Sequence, residues 1–167
     1  MKKITFLKTF IQTRWLHNFR SREALENYQK KQLASYMDFL KRESPYFKNG
    51  VPSDLDHMDK AFMMSHFNEL NTQGVDRDEA LALAIESEKT RNFTELKGEI
   101  AVGLSSGTSG HRGLFITTEK ERSMWAAAIL AKMLPKGQLF GHRIAFFLRA
   151  DNELYQTINT ALIRIEY

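Results

Sequence analysis

The chain contains no cysteine among its 167 residues, which excludes disulfides and thiolate-bound metals and leaves the redox compartment unmarked. Its five histidines stand at positions 17, 57, 66, 111 and 142, without an H-x-x-x-H or similar ligand spacing, so no metal site is expected. No apolar run approaches the roughly 18 residues of a membrane-crossing helix, and no transmembrane segment is expected. The start, Met1-Lys2-Lys3-Ile4-Thr5-Phe6-Leu7, has the charged beginning of a signal peptide, but Lys8, Gln12 and Arg14 break its apolar part and no small-residue cleavage site follows. The expectation is a cytoplasmic protein. Internal repeats and low-complexity segments are absent as well. A net charge of +4 and a pI near 9.3 raise the question of nucleic acid or an anionic membrane. Long runs of one sign are missing, however: only Lys2-Lys3 and Lys30-Lys31 cluster, so the charges read as a solvated surface and no nucleic-acid partner is expected.

What is present is an ordinary globular composition, 43% apolar and 26% charged, in a chain long enough for one domain with a core. Ile4, Leu7, Ile11, Trp15 and Phe19 recur at spacings of three and four, which predicts a helix with this stripe as its inner face, docked on its own domain or lying on a membrane surface. Ser21 is an N-cap for a second helix to about Lys41, with Leu25, Tyr28, Leu33, Met37 and Leu40 inward, and Ser44 before Pro45 ends it. Tyr46 to Asp59 reads as loop, and Lys60 to Leu70 as a short helix carrying Phe62, Met63, Phe67 and Leu70. Asp76 and Glu79 form an Asp version of the capping box before a helix to about Glu88, rich in alanine and leucine from 80 to 84.

From Asn92 the character changes to strand, glycine-rich loop and strand. Glu99 to Leu104 and Leu114 to Thr117 are predicted strands. Thr118 and Glu121 make a capping box for a helix through about Leu134, with Met124, Trp125, Ala128, Ile129 and Met133 against the sheet, and Pro135 and Gly137 stop it. His142 to Arg149 is a buried strand by its continuous apolar run, Asp151 to about Thr160 a helix, and Ala161 to Tyr167 a further strand. The expected fold class is therefore mixed α/β: a helical N-terminal region, 1–91, leading into the opening strands of an α/β sheet, 92–167.

The chemistry concentrates in Ser105-Ser106-Gly107-Thr108-Ser109-Gly110-His111-Arg112-Gly113. Glycines allow positive φ and close approach to a ligand, successive backbone N–H groups can form an anion nest, hydroxyls add rotatable donors and Arg112 a fixed positive charge. Holding the phosphates of a nucleotide is the chemistry this loop best fits. It is not a Walker A loop, because no Lys-Ser or Lys-Thr pair closes it. Gly103-Leu104-Ser105-Ser106-Gly107 also matches the G-x-S-x-G pattern that would make Ser105 a hydrolase nucleophile; that pattern needs a helix straight after the serine turn, where this sequence predicts a strand.

The loop resembles the phosphate-binding signature of the adenylate-forming superfamily of acyl-CoA synthetases, luciferases and peptide-synthetase adenylation domains. It is most similar to the phenylacetate–CoA ligase-like branch and its relatives of deazaflavin-coenzyme synthetases, over Ser44-Pro45-Tyr46-Phe47 to Phe146-Phe147-Leu148-Arg149-Ala150. Many members read Gly-x-Pro-Lys-Gly at the loop's end, whereas this chain has Gly110-His111-Arg112-Gly113, one residue shorter and without proline or lysine. The resemblance implies ATP and Mg²⁺ as cofactors and a carboxylic acid, or a coenzyme, as substrate. It implies Ser105, Ser106, Gly107, Thr108, Ser109 and Gly110 as β- and γ-phosphate contacts, with Arg112 neutralising departing pyrophosphate. A carboxylate would attack the α-phosphate to give an acyl-adenylate, often passed on to coenzyme A. The family's catalytic lysine, adenine-binding segment and ribose-binding aspartate have no match up to Tyr167, so the expectation is an N-terminal fragment whose C-terminal part is missing and which is inactive alone. Two other readings stand beside it: a non-catalytic basic helical module that binds a partner or an anionic surface, and a serine hydrolase using Ser105.

Overall fold

The computed structural model describes residues 2–48, 58–105, 107, 112–145 and 164–166. The chain forms α1 (Lys2–Ile11) and, directly after it, a π-helical turn (Gln12–Leu16). There follow α2 (Arg22–Glu43), α3 (Lys60–Ser65), α4 (Phe67–Leu70) and α5 (Arg77–Thr90). Next come β1 (Ile100–Leu104), β2 (Leu114–Thr118), α6 (Glu119–Met133), β3 (Arg143–Ala145) and β4 (Arg164–Glu166). β1 pairs with β2, and bonds from the Ser105 amide to the Gly113 carbonyl and from the Glu119 amide to the Glu99 carbonyl fix an antiparallel hairpin. β3 and β4 pair in parallel, Ile144 opposite Ile165. Helices mixed with small strand pairs are thus the architecture. The predicted strand residues beyond Ala145 and the helix predicted from Asp151 lie outside the described residues.

The chain divides into two compact units that interleave along the sequence, one from Met1–Asn18, Glu86–Ala101 and Ile116–Tyr167, the other from Phe19–Ile85 and Val102–Phe115. In the first, α1 packs on α6. α6 starts at a full capping box, the Thr118 hydroxyl accepting from the Glu121 amide and the Glu121 carboxylate accepting from the Thr118 amide. Its buried side is Ala126, Ala127, Leu130 and Ala131, the three alanines allowing close approach, joined in the core by Leu96, Ile100 and Leu134. At its other end the Arg14 guanidinium donates to the carbonyls of Ala131 (2.9 Å), Leu134 (2.5 Å) and Pro135, a cation on the carbonyl-rich end of a helix. Arg122 braces the strand ends, donating to the Thr117 carbonyl (2.9 Å) and pairing with Glu95.

The second unit holds Leu40, Phe47, Phe67, Val75, Ala80, Ala84 and Leu114 in its core. Ser21 caps α2 by accepting from the Ala24 amide at 3.1 Å, and the helix ends at Glu43 because Ser44, before Pro45, is extended. Ser44 is fully buried and its hydroxyl donates to the Glu69 carbonyl at 2.9 Å. Asn71 knits the turn into α5: its side chain accepts from the amides of Gln73 and Val75 and donates to the carbonyls of Phe67 and Val75. Asp76 then caps α5, its carboxylate accepting from the Asp78 and Glu79 amides.

Three expected faces are corrected by the observed burial. On α1 the half-buried positions include Thr5, Phe6, Thr9 and Phe10, whereas Ile4, Leu7, Ile11 and Trp15 are exposed. On α2 only Leu40 is buried, and Leu25 and Leu33 face solvent. On α6 Met124, Trp125 and Met133 are exposed and the alanine side packs instead. Periodicity marks a face, but a face is buried only where a partner reaches it. The predicted Lys60–Leu70 helix is also broken, into α3 and α4 at His66, whose ring stacks on Phe62 with centroids 4.2 Å apart.

Candidate functional site

The hairpin ends in nine residues, Ser105 to Gly113, between β1 and β2. Its mouth is closed twice, by the Ser105 amide donating to the Gly113 carbonyl and by the Gly113 amide donating to the Ser105 hydroxyl, both at 2.8 Å. Two residues further along each strand Phe115 lays its ring over Gly103, where a Cβ would overlap the ring; glycine lets the aromatic cover the strand. The loop is therefore held at its base by backbone pairing and by a ring.

Of the expected phosphate contacts, Ser105, Gly107 and Arg112 are described; Ser106, Thr108, Ser109 and Gly110, with His111, lie outside the described residues. Gly107 has φ of +69°, the left-handed region where glycine is at home. A Cβ at Gly107 would fall 2.8 Å from Arg112 Cγ, so the arginine stem passes directly over this glycine. Arg112 is exposed, and its Nε donates to the Ser105 carbonyl at 3.3 Å, which folds the guanidinium back toward the mouth. The predicted arginine and the predicted positive-φ glycine thus meet across the loop.

A second basic residue joins them that the sequence did not indicate. Lys60, in the first turn of α3, runs its stem alongside Gly113, with Cγ and Cδ 3.4 Å from where a Cβ would stand. The Asp59 carboxylate caps α3, accepting from the Phe62 amide at 2.7 Å, and one turn on the Leu114 amide reaches Met64 Sδ at 3.2 Å. These contacts attach α3 to the start of β2. No local pattern links Lys60 to a loop some fifty residues later, which is why spacing could not find it.

The Ser105 hydroxyl accepts from the Gly113 amide, and of the residues directly after it, where a hydrolase nucleophile needs a helix, only Gly107 is described before Arg112. Elsewhere in the same unit a cavity of about 250 Å³ is lined by Ser65, His66, Asn68, Glu69, Arg77 and Asp78. Its polar groups are engaged locally: Asn68 accepts from the Arg77 amide, and Arg77 pairs with Asp78 at 2.8 Å. Among the described residues no helix is long and apolar enough to cross a membrane. No family model, no curated protein and no solved structure matches the chain.

Proposed function

We propose that the chain carries the phosphate-binding loop of an ATP-dependent adenylate-forming ligase, which activates a carboxylic acid as its acyl-adenylate or adenylylates a coenzyme. The observation that supports this reading most is the hydroxyl- and glycine-rich loop held closed at Ser105 and Gly113, with Arg112 folded over a positive-φ glycine and Lys60 at its base. Two cations and a tight backbone turn suit a group with several anionic oxygens.

In the proposed reaction a carboxylate oxygen attacks the α-phosphorus, the bond from that phosphorus to the bridging oxygen breaks, and pyrophosphate leaves with the electron pair. The work of this chain's residues is to hold the β- and γ-phosphates in line and to neutralise the charge that gathers on them, the part of phosphoryl-type chemistry that positioning and electrostatics supply. Arg112 and Lys60 carry the charge; the backbone at Gly107 and the hydroxyls of the loop carry the orientation. Mg²⁺ would add further charge neutralisation on the nucleotide. Among the described residues no three His, Asp or Glu side chains stand together to hold an ion, so the phosphates themselves would bring it. The acyl group would then pass to a thiol or another nucleophile, often coenzyme A.

Calorimetric titration of the purified chain with inorganic tripolyphosphate, and with ATP and Mg²⁺, tests the loop. Saturable binding is expected, weakened about tenfold by Arg112→Ala and by Lys60→Ala, since each removes a charged partner. No polyphosphate binding, or binding untouched by both substitutions, overturns the proposal. So does labelling of Ser105 by a fluorophosphonate, the outcome that the hydrolase reading requires.

A further inference from the structure

The face of α1 that turns away from α6 has no account in a phosphate-binding loop. Ile4, Leu7, Ile11 and Trp15 follow one another at three- and four-residue steps, and Ile4 is 75%, Leu7 58% and Trp15 52% exposed. Beside this stripe Phe6 and Phe10 are half-buried and stack on each other, and Phe10 takes the edge of Trp15 at 5.9 Å. Scattered exposed apolar residues mean little, but a continuous stripe along a helix is costly to leave in water.

Charge indicates what covers it. From Met1 to Asn18 the chain holds Lys2, Lys3, Lys8 and Arg14 and no aspartate or glutamate at all. Arg14 is occupied by the α6 carbonyls, which leaves the lysines as the charges of this helix, and Lys3 and Lys8 are exposed beside the stripe. An apolar stripe flanked only by lysines, with a tryptophan at its end, has the chemistry of a helix that lies in the plane of an anionic bilayer, its stripe in the acyl boundary, its lysines at the headgroups and its indole at the interface.

We propose that α1 with its π-helical turn is a docking face for an anionic lipid surface. The stripe is short, so apolar burial and electrostatic attraction must act together, and neither suffices alone.

The test is sedimentation of the full chain with vesicles of phosphatidylcholine, with and without phosphatidylserine, alongside tryptophan emission in a Trp125→Phe background, where Trp15 alone reports. Binding is expected only to the serine-lipid vesicles, with a blue shift of Trp15, and it should fade as salt rises. Lys3→Glu with Lys8→Glu should lower partitioning by about 25-fold or more, from about 1 kcal/mol per lysine near such a surface. Leu7→Asp should abolish the blue shift. Both variants alter exposed positions, and unchanged circular dichroism will verify that the fold survives. Absence of binding to the serine-lipid vesicles overturns the proposal, as does binding that Leu7→Asp leaves intact. Concentration-dependent self-association that Leu7→Asp removes, without vesicle binding, would assign the face to a second copy of the chain instead.

Discussion

Removing the Arg14 guanidinium tests the packing of the first unit where the segment after α1 meets the end of α6. Arg14→Ala deletes three hydrogen bonds, to the carbonyls of Ala131, Leu134 and Pro135 at the end of α6. The Pro135 carbonyl is exposed and water can replace the lost partner there. The Ala131 and Leu134 carbonyls are part-buried, and their residues belong to the core that α6 forms. A hydrogen bond to a charged group is worth about 1.5–3 kcal/mol, reduced where solvent competes, so two such bonds amount to about 2–3 kcal/mol. For a chain of this size that lowers the melting temperature by about 4–12 °C. Trp15 and Trp125 are the chain's two tryptophans and both lie in this unit, so urea and thermal unfolding followed by their emission reports on it directly. Arg14→Lys should recover less than half of the loss, because a single ammonium cannot serve three carbonyls as a planar fork does. An Arg14→Ala chain within about 0.5 kcal/mol of the parent, the range of an unremarkable surface change, would refute the reasoning. A fully stable Arg14→Lys would do the same.

Two further outcomes are expected. Thr118→Ala breaks the capping box at the start of α6 and should cost about 1 kcal/mol in urea unfolding, with Thr118→Ser close to the parent; equal midpoints for all three would remove the cap from the account. Asp76 gives a pH signature. The hydrogen bond from the Glu79 amide, then that from Asn68, holds its carboxyl below the usual carboxylate value. A pKa that is lower in the folded state than in the unfolded chain contributes stability above the unfolded value, and that contribution is lost as pH falls through the folded one. Asp76→Asn should therefore flatten the acid limb of a stability–pH profile, and an unchanged limb would show that the cap is not what titrates.

What could be read from the sequence was local. The Thr118–Glu121 box, the Ser21 cap and the stop at Ser44-Pro45 all act within a few residues, and each stands where the pattern put it. Arg112 and Gly107, five residues apart, likewise meet in the loop that predicted them. Lys60 beside Gly113 and Arg14 on the α6 carbonyls are products of tertiary placement, for which no spacing rule exists. The apolar stripes mark the limit of the method most clearly. Ile4, Leu7, Ile11 and Trp15 do form one face, as their spacing required, yet α6 meets α1 on another side, because its alanines allow close approach there.

The bond between Arg14 and Ala131 spans 117 residues of sequence, and this sets an order of events during synthesis. α1 leaves the ribosome well before the helix it leans on. At translation rates of about 5–20 residues per second, α1 waits on the order of 6 to 23 seconds for α6. Throughout that interval both of its sides are uncovered, Phe6 and Phe10 as well as Ile4 and Leu7. The larger segment of the second unit, Phe19–Ile85, is continuous in sequence and has time to begin organising in the meantime. A nascent chain arrested before Met133 would consequently carry α1 as a bare amphipathic helix, open to capture by whatever apolar or anionic surface lies nearest.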